Sequence, residues 1–257
     1  MLWIEAQSTP VITLLAFGVC YFVMAAIFSL AAFLSRRAIA QDLKAITPTT
    51  LTPLGVVLGL LIVFLASRVW TNVDRAIEYV GQEAGALRET VLLADSLPPE
   101  VRTNVRQAIQ KHLHLMETEE WPAMARRQAS LQSKAVGLAE ALAAVLSFSP
   151  AQTNQHVAQE RAVVAIEHAL DARRNRVRLS QAEIAPIQWV VIGVLAVLIL
   201  ITLAMVHIQN WLTMAITMFI FSTAIAVCVV LLMVYDRPFG TGGFVIQPTV
   251  LRDIMPD

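Results

Sequence analysis

The residues best suited to metal or acid–base chemistry lie near the middle of the sequence. His112 and His114 are two positions apart on a predicted helix, so their side chains point about 200° away from each other and cannot bind one ion together. His114 and Glu117 could share a face, but a metal site needs three or four ligands. We therefore interpret this pair as solvated surface, and the acidic run as an exposed helix end formed by Glu117, Glu119 and Glu120. The sequence predicts no metal site and no bound cofactor.

The sequence motifs of common enzyme classes are absent. There is no nucleophile elbow, no glycine-rich phosphate loop, no HExxH motif and no pair of catalytic carboxylates. The two cysteines, Cys20 and Cys228, lie inside long apolar runs and lack the spacing of a zinc site or a disulfide framework. We therefore predict that the protein is not an enzyme.

Four arginines form the main basic feature of the middle region, and they are Arg173, Arg174, Arg176 and Arg178. The simplest interpretation is that they anchor the neighbouring segment at anionic lipid headgroups. In a symmetric oligomer, the same arginines could instead form a ring that concentrates anions. Because the chain has 19 basic and 19 acidic residues, its charge gives no reason to expect a nucleic-acid partner.

Four long apolar runs identify an integral membrane protein. Of the 257 residues, 57% are hydrophobic and 15% are charged, and the mean hydropathy is +0.64. A bilayer core of about 30 Å needs about 20 apolar residues of helix. Runs of that length cover residues 11–34, 51–70, 187–206 and 212–235. Their only charged residue is Arg68, near the end of the second run, which argues against a pump or a secondary transporter.

The order of these runs predicts an all-α integral membrane protein with four transmembrane helices in two hairpins. A bundle of long cytoplasmic helices would lie between the second and third spans. The predicted domains are a first transmembrane hairpin, a helical cytoplasmic domain, a second transmembrane hairpin and a C-terminal tail, over residues 1–70, 71–186, 187–235 and 236–257.

Apolar spacing and prolines predict the first helices of the polar domain. From Val73 onward, apolar residues recur at helical spacing, so the second span should continue as a helix to about Ser96. The pair Pro98 and Pro99 should end that helix. A second helix should then run to about Glu119.

Further prolines predict the remaining helices of this domain. Trp121 and Pro122 mark a kink or a short break before a third helix over residues 122–146. Ser149 followed by Pro150 is typical of an N-cap with proline in the first turn. We expect the helix that begins there to continue directly into the third span.

Basic residues near the span ends predict the orientation of the chain. The loop after the first span carries three, which are Arg36, Arg37 and Lys44. The opposite side carries more, including Arg68, Arg75, Arg88, the four central arginines and Arg237. By the positive-inside rule, both termini and the helical domain should be cytoplasmic.

The second span has two features of a helix that meets other helices. Gly55 and Gly59 form a GxxxG motif, which lets helix backbones approach closely. Taken alone, the pair indicates packing inside one subunit, although copies of the helix could instead converge on an axis. At 100° per residue, Thr52, Val56 and Leu60 fall within an 80° arc. Around an axis, this face would form an apolar constriction that gates by dewetting.

Short motifs in and after the spans resemble those of bestrophins, a family of anion channels. The second span has the residue order of the second bestrophin membrane helix, with Pro53, Val57, Leu58, Gly59, Arg68 and Trp70. The segment after the last span resembles the N-P-F-G segment of bestrophins, with Arg237, Pro238, Phe239, Gly240 and Phe244. More closely, the chain is identified as a member of a bacterial bestrophin-like family of unknown function. The residues that carry this resemblance are Glu120, Trp121, Pro122, Arg173, Arg176, Leu179 and Asp236 to Phe239.

This resemblance implies a homo-oligomeric ion channel, a pentamer in the lipid of a bacterial inner membrane, that conducts chloride or other small anions. The bestrophin pore neck would fall on Thr52, Val56 and Leu60, which are also the residues of the arc described above. Bestrophin necks have phenylalanine where this chain has Val56 and Leu60, and aromatic edges are part of the family's account of anion passage. Residues 241–243 replace an acidic calcium-binding run, so we do not expect calcium gating through that segment.

A membrane sensor or scaffold is the alternative function. As a sensor, the helical domain would bind a ligand or a partner, as chemoreceptor input domains do. Only residues 236–257 follow the fourth span, so such a sensor would signal through a partner protein. As a scaffold, the protein would form an oligomer without a continuous axial opening.

Overall fold

The chain is helical throughout the part that the structure describes. A computed structural model describes residues 9–35, 48–131, 135–240, 246 and 251, and no β-strand occurs among them. Their α-helices are α1 (Thr9–Leu34), α2 (Leu51–Ala94), α3 (Pro99–Leu115), α4 (Trp121–Ala125), α5 (Val136–Leu146), α6 (Thr153–Ser180), α7 (Pro186–Val206) and α8 (Trp211–Tyr235). A 3-10 turn, Pro48–Thr50, precedes α2, and a π-helix, Met116–Glu120, joins α3 to α4.

Four of these helices are long and apolar enough to cross a membrane. They are α1, α2, α7 and α8, judged by length and composition, and this confirms the four apolar spans expected from the sequence. The predicted continuation of the second span is also confirmed, because α2 is a single helix of 44 residues. It ends at Ala94, shortly before the two prolines, and Pro98 and Pro99 then begin α3 as N-cap and first helical residue.

The chain divides into two compact units, the first of which contains the apolar helices. This membrane unit comprises Met1–Trp70 and Glu183–Asp236. Its core combines buried side chains of α2, α7 and α8, including Leu58, Leu65, Ile199, Met218 and Leu232. Helix α1 packs against α8 and α7.

The second compact unit, called the helical unit here, comprises Thr71–Ala182 and Arg237–Asp257. Its core combines α2, α3, α5 and α6 through side chains such as Leu87, Ile109, Leu138 and Ile166. Helices α3 and α5 cross very closely at Gly137, because a Cβ atom added there would lie 2.4 Å from the carbonyl oxygen of Ala108. A side chain at this position would therefore force the two helices apart.

One expectation about the third helix of the helical domain was wrong. The predicted third helix over residues 122–146 is two helices, since α4 ends at Ala125 and α5 begins at Val136. Arg127, just after α4, has a φ of 56°, a left-handed backbone that cannot continue a right-handed helix. At Trp121 and Pro122, where the sequence predicts a kink or a short break, the chain stays helical through a π-helical turn, in which the Trp121 N–H bonds back five residues to the Met116 carbonyl.

The predicted ends of the last helix of the domain were also wrong. Helix α6 begins at Thr153 after the extended residue Gln152, and not at Ser149 and Pro150. It ends at Ser180, and residues 181–185 are not helical, so it does not run directly into α7. Pro186 takes the first position of α7, where its missing N–H has no intrahelical partner to lose.

Candidate functional site

The helix predicted to line a pore exposes its predicted neck face. In the single chain Val56 is 54% exposed and Leu60 is 52% exposed, and Thr52 is exposed as well. The buried residues of the same segment include Leu58 and Leu65, each 2% exposed. At 100° per residue the two faces lie about 160° apart on the helix. The neck face therefore points away from the core of its own subunit.

The GxxxG pair borders this exposed face. A Cβ atom added at Gly55 or Gly59 would have no neighbouring heavy atom within 4 Å in the part of the chain that the structure describes. The simpler interpretation of the pair, tight packing inside one subunit, thus finds no partner helix among those residues. The convergence of several copies of the helix stays a prediction.

The other matched residues of the second span lie on several of its faces. Leu58 is buried in the core of the membrane unit, whereas Pro53, Val57 and Trp70 are exposed. Arg68 is also exposed, and its Nη2 donates a long hydrogen bond of 3.5 Å to the carbonyl oxygen of Glu183, next to α7. This contact links the end of the second span to the segment before α7.

Five ionisable side chains form a buried charged cluster in the helical unit. They come from α2, α3, the π-helix and α6, and they are Glu83, His112, Glu120, Arg173 and Arg176. Glu83 and Arg176 are 0% exposed, and His112 is 4% exposed. Charged side chains at this depth are rare unless they are paired. The charged cluster is therefore the most distinctive polar feature of the unit.

Arg176 is the central residue of the charged cluster. Its Nε donates to Glu83 Oε2 at 2.7 Å, and its Nη2 donates to Glu83 Oε1 at 3.2 Å and to Glu120 Oε1 at 2.6 Å. Arg173 Nε donates to the other carboxylate oxygen of Glu120 at 2.7 Å. His112 Nε2 lies 2.9 Å from Glu83 Oε1. The negative charges of the two carboxylates therefore cancel the positive charges of the two guanidinium groups.

The electrostatics of this pairing keep its members ionised. Burial by itself raises the pKa of the Glu83 carboxyl, but the charge of Arg176 and the hydrogen bond and charge of His112 outweigh burial and lower the pKa to about 2. Burial likewise disfavours the Arg176 cation, but Glu83 and Glu120 raise its pKa above the ordinary value. At neutral pH, Glu83 and Arg176 form a permanent buried ion pair.

Aromatic and sulfur-containing side chains surround the Arg176 guanidinium. Its carbon lies 5.4 Å from the ring centroid of Trp121, and its Nη1 lies 3.3 Å from the Met124 sulfur. Phe239 packs edge-on against the Trp121 ring, with centroids 5.5 Å apart and planes at 87°. The matched motifs around residues 120, 176 and 239 therefore meet in one core, with Pro122 and Leu179 half-buried nearby.

Two predictions about these residues were wrong. Arg173 and Arg176 do not anchor the unit at lipid headgroups, because both are buried in ion pairs. Glu120 is not part of an exposed helix end, because its side chain is only 12% exposed and binds both arginines. Of the four arginines, only Arg174 and Arg178 are exposed.

Sequence reasoning missed Glu83, and it considered His112 only as a metal ligand together with His114. A usable signal existed for Glu83, which occupies a position in the helical stripe that also contains Val80 and Leu87, both buried. An acidic residue in such a stripe indicates a buried partner of opposite charge. No group of three or more His, Cys, Asp or Glu residues in the described ranges is arranged to hold a metal ion.

The segment after the last span contributes to both units. Asp236, at the end of the membrane unit, accepts a hydrogen bond from the Ile184 N–H at 3.2 Å. Pro238, Phe239 and Gly240 are buried in the helical unit, and the Pro238 carbonyl accepts from the Ile246 N–H at 3.0 Å. The Gly240 N–H bonds the carbonyl of Arg237 at 3.1 Å. Residues 241–243 and Phe244, which the sequence comparison used, lie outside the described residues.

The fold and these motifs define a class of helical membrane proteins, and comparisons with known proteins identify the family. The Bestrophin-like domain family matches residues 17–251. Two variants of a bacterial bestrophin homologue from Klebsiella pneumoniae have a similar structure, each at 13% identity. The first has a TM-score of 0.66 over 91% of this chain and 97% of the other, and the second has a TM-score of 0.68 over 94% and 97%. No functionally curated protein matches the sequence.

The family match covers most of the chain, and the two structural matches cover 91% and 94% of it. The chain therefore belongs to the bestrophin-like family.

Proposed function

We propose that this chain is one subunit of a homo-oligomeric channel that conducts chloride or other small anions. Membership in the bestrophin-like family supports an ion channel at the level of the family. The subunits, five by resemblance, would surround an axis in the inner membrane of a bacterium. Each would contribute its two membrane hairpins, with both termini and the helical domain in the cytoplasm.

The observation that carries this proposal is the exposed face of α2. Thr52, Val56 and Leu60 are uncovered in the single chain, opposite the buried face of the same helix. Gly59 lies about 20° from Thr52 around the helix, so close approach of neighbouring copies would bring the neck face toward the axis. There the three side chains would form an apolar constriction that dewets when narrow.

The reversal potential tests the proposal most directly. Purified protein is inserted into a planar bilayer under a potassium chloride gradient, and the voltage of zero current is measured. Reversal near the chloride equilibrium potential is the expected result. Reversal near the potassium equilibrium potential would keep the channel and contradict anion selectivity. Absence of current at all voltages, with protein insertion verified, would contradict the channel and favour the sensor or scaffold.

Assembly and orientation need separate measurements. Native mass spectrometry of the detergent-solubilised protein should give a pentamer, and any other number of subunits would contradict the resemblance on this point. A reporter fused after Asp257 should be active only on the cytoplasmic side. An external reporter signal would reverse the proposed orientation.

A further inference from the structure

A cavity of the size of a small-molecule site lies beside the charged cluster in the helical unit. Its volume is about 490 Å³, within the range of about 300–1,000 Å³ that is typical of ligand pockets. Two members of the cluster with buried side chains, His112 and Arg173, line it, together with apolar side chains such as Leu115 and Val136. An apolar wall with a few convergent polar groups is the usual composition of a binding site.

The π-helix forms part of the cavity wall. It contributes Met116, Glu119 and Glu120 to the lining. A π-helical turn is rare, and where it occurs it frequently marks a functional site. The irregular turn therefore provides a second indication, independent of the charges, that the cavity has a role.

The charges around the cavity determine which ligand it suits. Inside the cluster, the two carboxylates and the two guanidinium groups cancel, so a neutral His112 leaves no unbalanced buried charge. His112 Nε2 faces the Glu83 carboxylate and must donate its hydrogen to it. In neutral imidazole the other ring nitrogen, Nδ1, is then an acceptor. Because His112 lines the cavity, this nitrogen is the candidate acceptor for a ligand N–H or O–H at the buried end.

One carboxylate in the cavity lining, that of Glu119, has no ion-pair partner among the residues that the structure describes. Glu119 itself is exposed. The other ionisable residues that line the cavity, His112, Glu120 and Arg173, are all paired. A cation is therefore the complementary ligand group at the Glu119 end.

We propose that this cavity binds a small organic amine, with its ammonium group at Glu119, its apolar chain against Leu115 and Val136, and a second donor toward His112. The site is distinct from the proposed pore neck, which lies in the membrane unit. Binding can be measured without ion flow, so the result does not depend on whether the protein conducts.

Calorimetric titration of the full-length protein in detergent tests the proposal with three matched probes. They are 5-amino-1-pentanol, 5-hydroxypentanoate and 1,5-pentanediol, which carry a cationic, an anionic and a neutral end group on similar chains. The titration is done at about pH 8, where the end group of 5-amino-1-pentanol is a cation and that of 5-hydroxypentanoate is an anion. Saturable binding of the amine, with weaker or undetectable binding of the other two, is expected. No binding of the amine, or equal binding of the carboxylate, would overturn the proposal.

Two variants test whether the ammonium group binds at Glu119. Glu119→Gln should weaken binding of 5-amino-1-pentanol roughly tenfold or more, the loss expected for a charge-assisted hydrogen bond. Glu167→Gln is the matched control, because Glu167 is exposed on α6 and outside the cavity lining, and it should bind the amine as the unmodified protein does. Both changes are at exposed positions, and unchanged unfolding temperatures would verify the fold. Equal affinity of Glu119→Gln and Glu167→Gln would contradict the assignment of the site.

Discussion

Glu83 on α2 and Arg176 on α6 form a bidentate ion pair, although the two residues are 93 positions apart in the sequence. The Arg176 Nε lies 2.7 Å from Glu83 Oε2, and its Nη2 lies 3.2 Å from Glu83 Oε1. Neither side chain has any exposed surface. Because water cannot replace a lost partner at this depth, changes to one member of the pair should have large effects.

Arg176→Met should strongly destabilise the helical unit. The substitution leaves Glu83 without its guanidinium partner and removes one partner of Glu120, which should cost about 3–5 kcal/mol of unfolding free energy. Unfolding in denaturant, followed by circular dichroism in detergent, measures the loss. Arg178→Met is the control, because Arg178 is exposed on the same helix. This variant should lose less than about 0.5 kcal/mol of unfolding free energy.

The double variant Glu83→Met with Arg176→Met separates lost pairing from lost packing. Removing both charges leaves no unpaired carboxylate at position 83, so the double variant should be more stable than Arg176→Met alone. If the double variant loses as much unfolding free energy as the two single variants together, the ion pair does not account for the cost of Arg176→Met.

Stability should fall in acid as Glu83 becomes protonated. The pKa of Glu83 is lowered to about 2 in the folded protein, against about 4.3 for an ordinary glutamate. A lowered carboxyl pKa contributes stability that is fully present above the unfolded-state pKa and is lost between about pH 4.3 and pH 2. Unfolding temperatures measured from pH 6 downward should therefore drop in that window. The Glu83→Gln variant should be less stable at neutral pH and should show a shallower drop.

Gly137→Ala should destabilise the crossing of α3 and α5. The added Cβ would lie 2.4 Å from the Ala108 carbonyl oxygen and 2.6 Å from the His112 backbone nitrogen, so the helices must separate. We expect a cost of about 1–3 kcal/mol. Gly81→Ala is the matched control, because its Cβ meets nothing within 4 Å among the described residues and should stabilise α2 by about 0.5–1 kcal/mol. Equal unfolding midpoints for the two variants would contradict the close crossing.

A pair of adjacent valines tests the proposed neck. Val56 and Val57 are 54% and 53% exposed on the same helix, but their side chains point about 100° apart. If Val56 lies in the constriction, Val56→Ala should widen it and raise single-channel conductance, as should Leu60→Ala. Val57→Ala makes the same chemical change off the neck face and should leave conductance unchanged. Equal conductance of the two alanine variants would remove Val56 from the neck.

Hydropathy sufficed to predict the four apolar helices, because burial in lipid depends on composition along one segment of the chain. The long continuation of α2 was also predictable, because it depends only on apolar residues that recur at helical spacing along one segment. Boundaries that depend on distant contacts were not predictable in this way. Residues 126–135 have helix-compatible composition, yet the chain leaves the helix after Ala125 at a left-handed Arg127.

The charged cluster is the part of the candidate site that could least be predicted from the sequence. The motif match identified Glu120, Arg173 and Arg176, but an arginine near a span normally indicates a lipid contact. Only the fold brings Glu83 and His112 to these residues, across 93 and 64 positions from Arg176 respectively. The burial of the arginines is a property of four packed segments, and no single segment encodes it.

The alanine-rich face of α6 gives the charged cluster a further consequence. This face packs into the core through Ala158, Ala162, Ala165, Ala169 and Ala172, whose side chains are nearly identical in shape. Sliding the helix by one turn would replace most of these alanines with alanine, while displacing the two larger buried apolar side chains of the helix, Ile166 and Val177. The same slide would move Arg176 by about 5.4 Å and separate it from Glu83 and Glu120. The ion pairs therefore act together with Ile166 and Val177 to fix one axial register for α6, which the alanines alone would leave open.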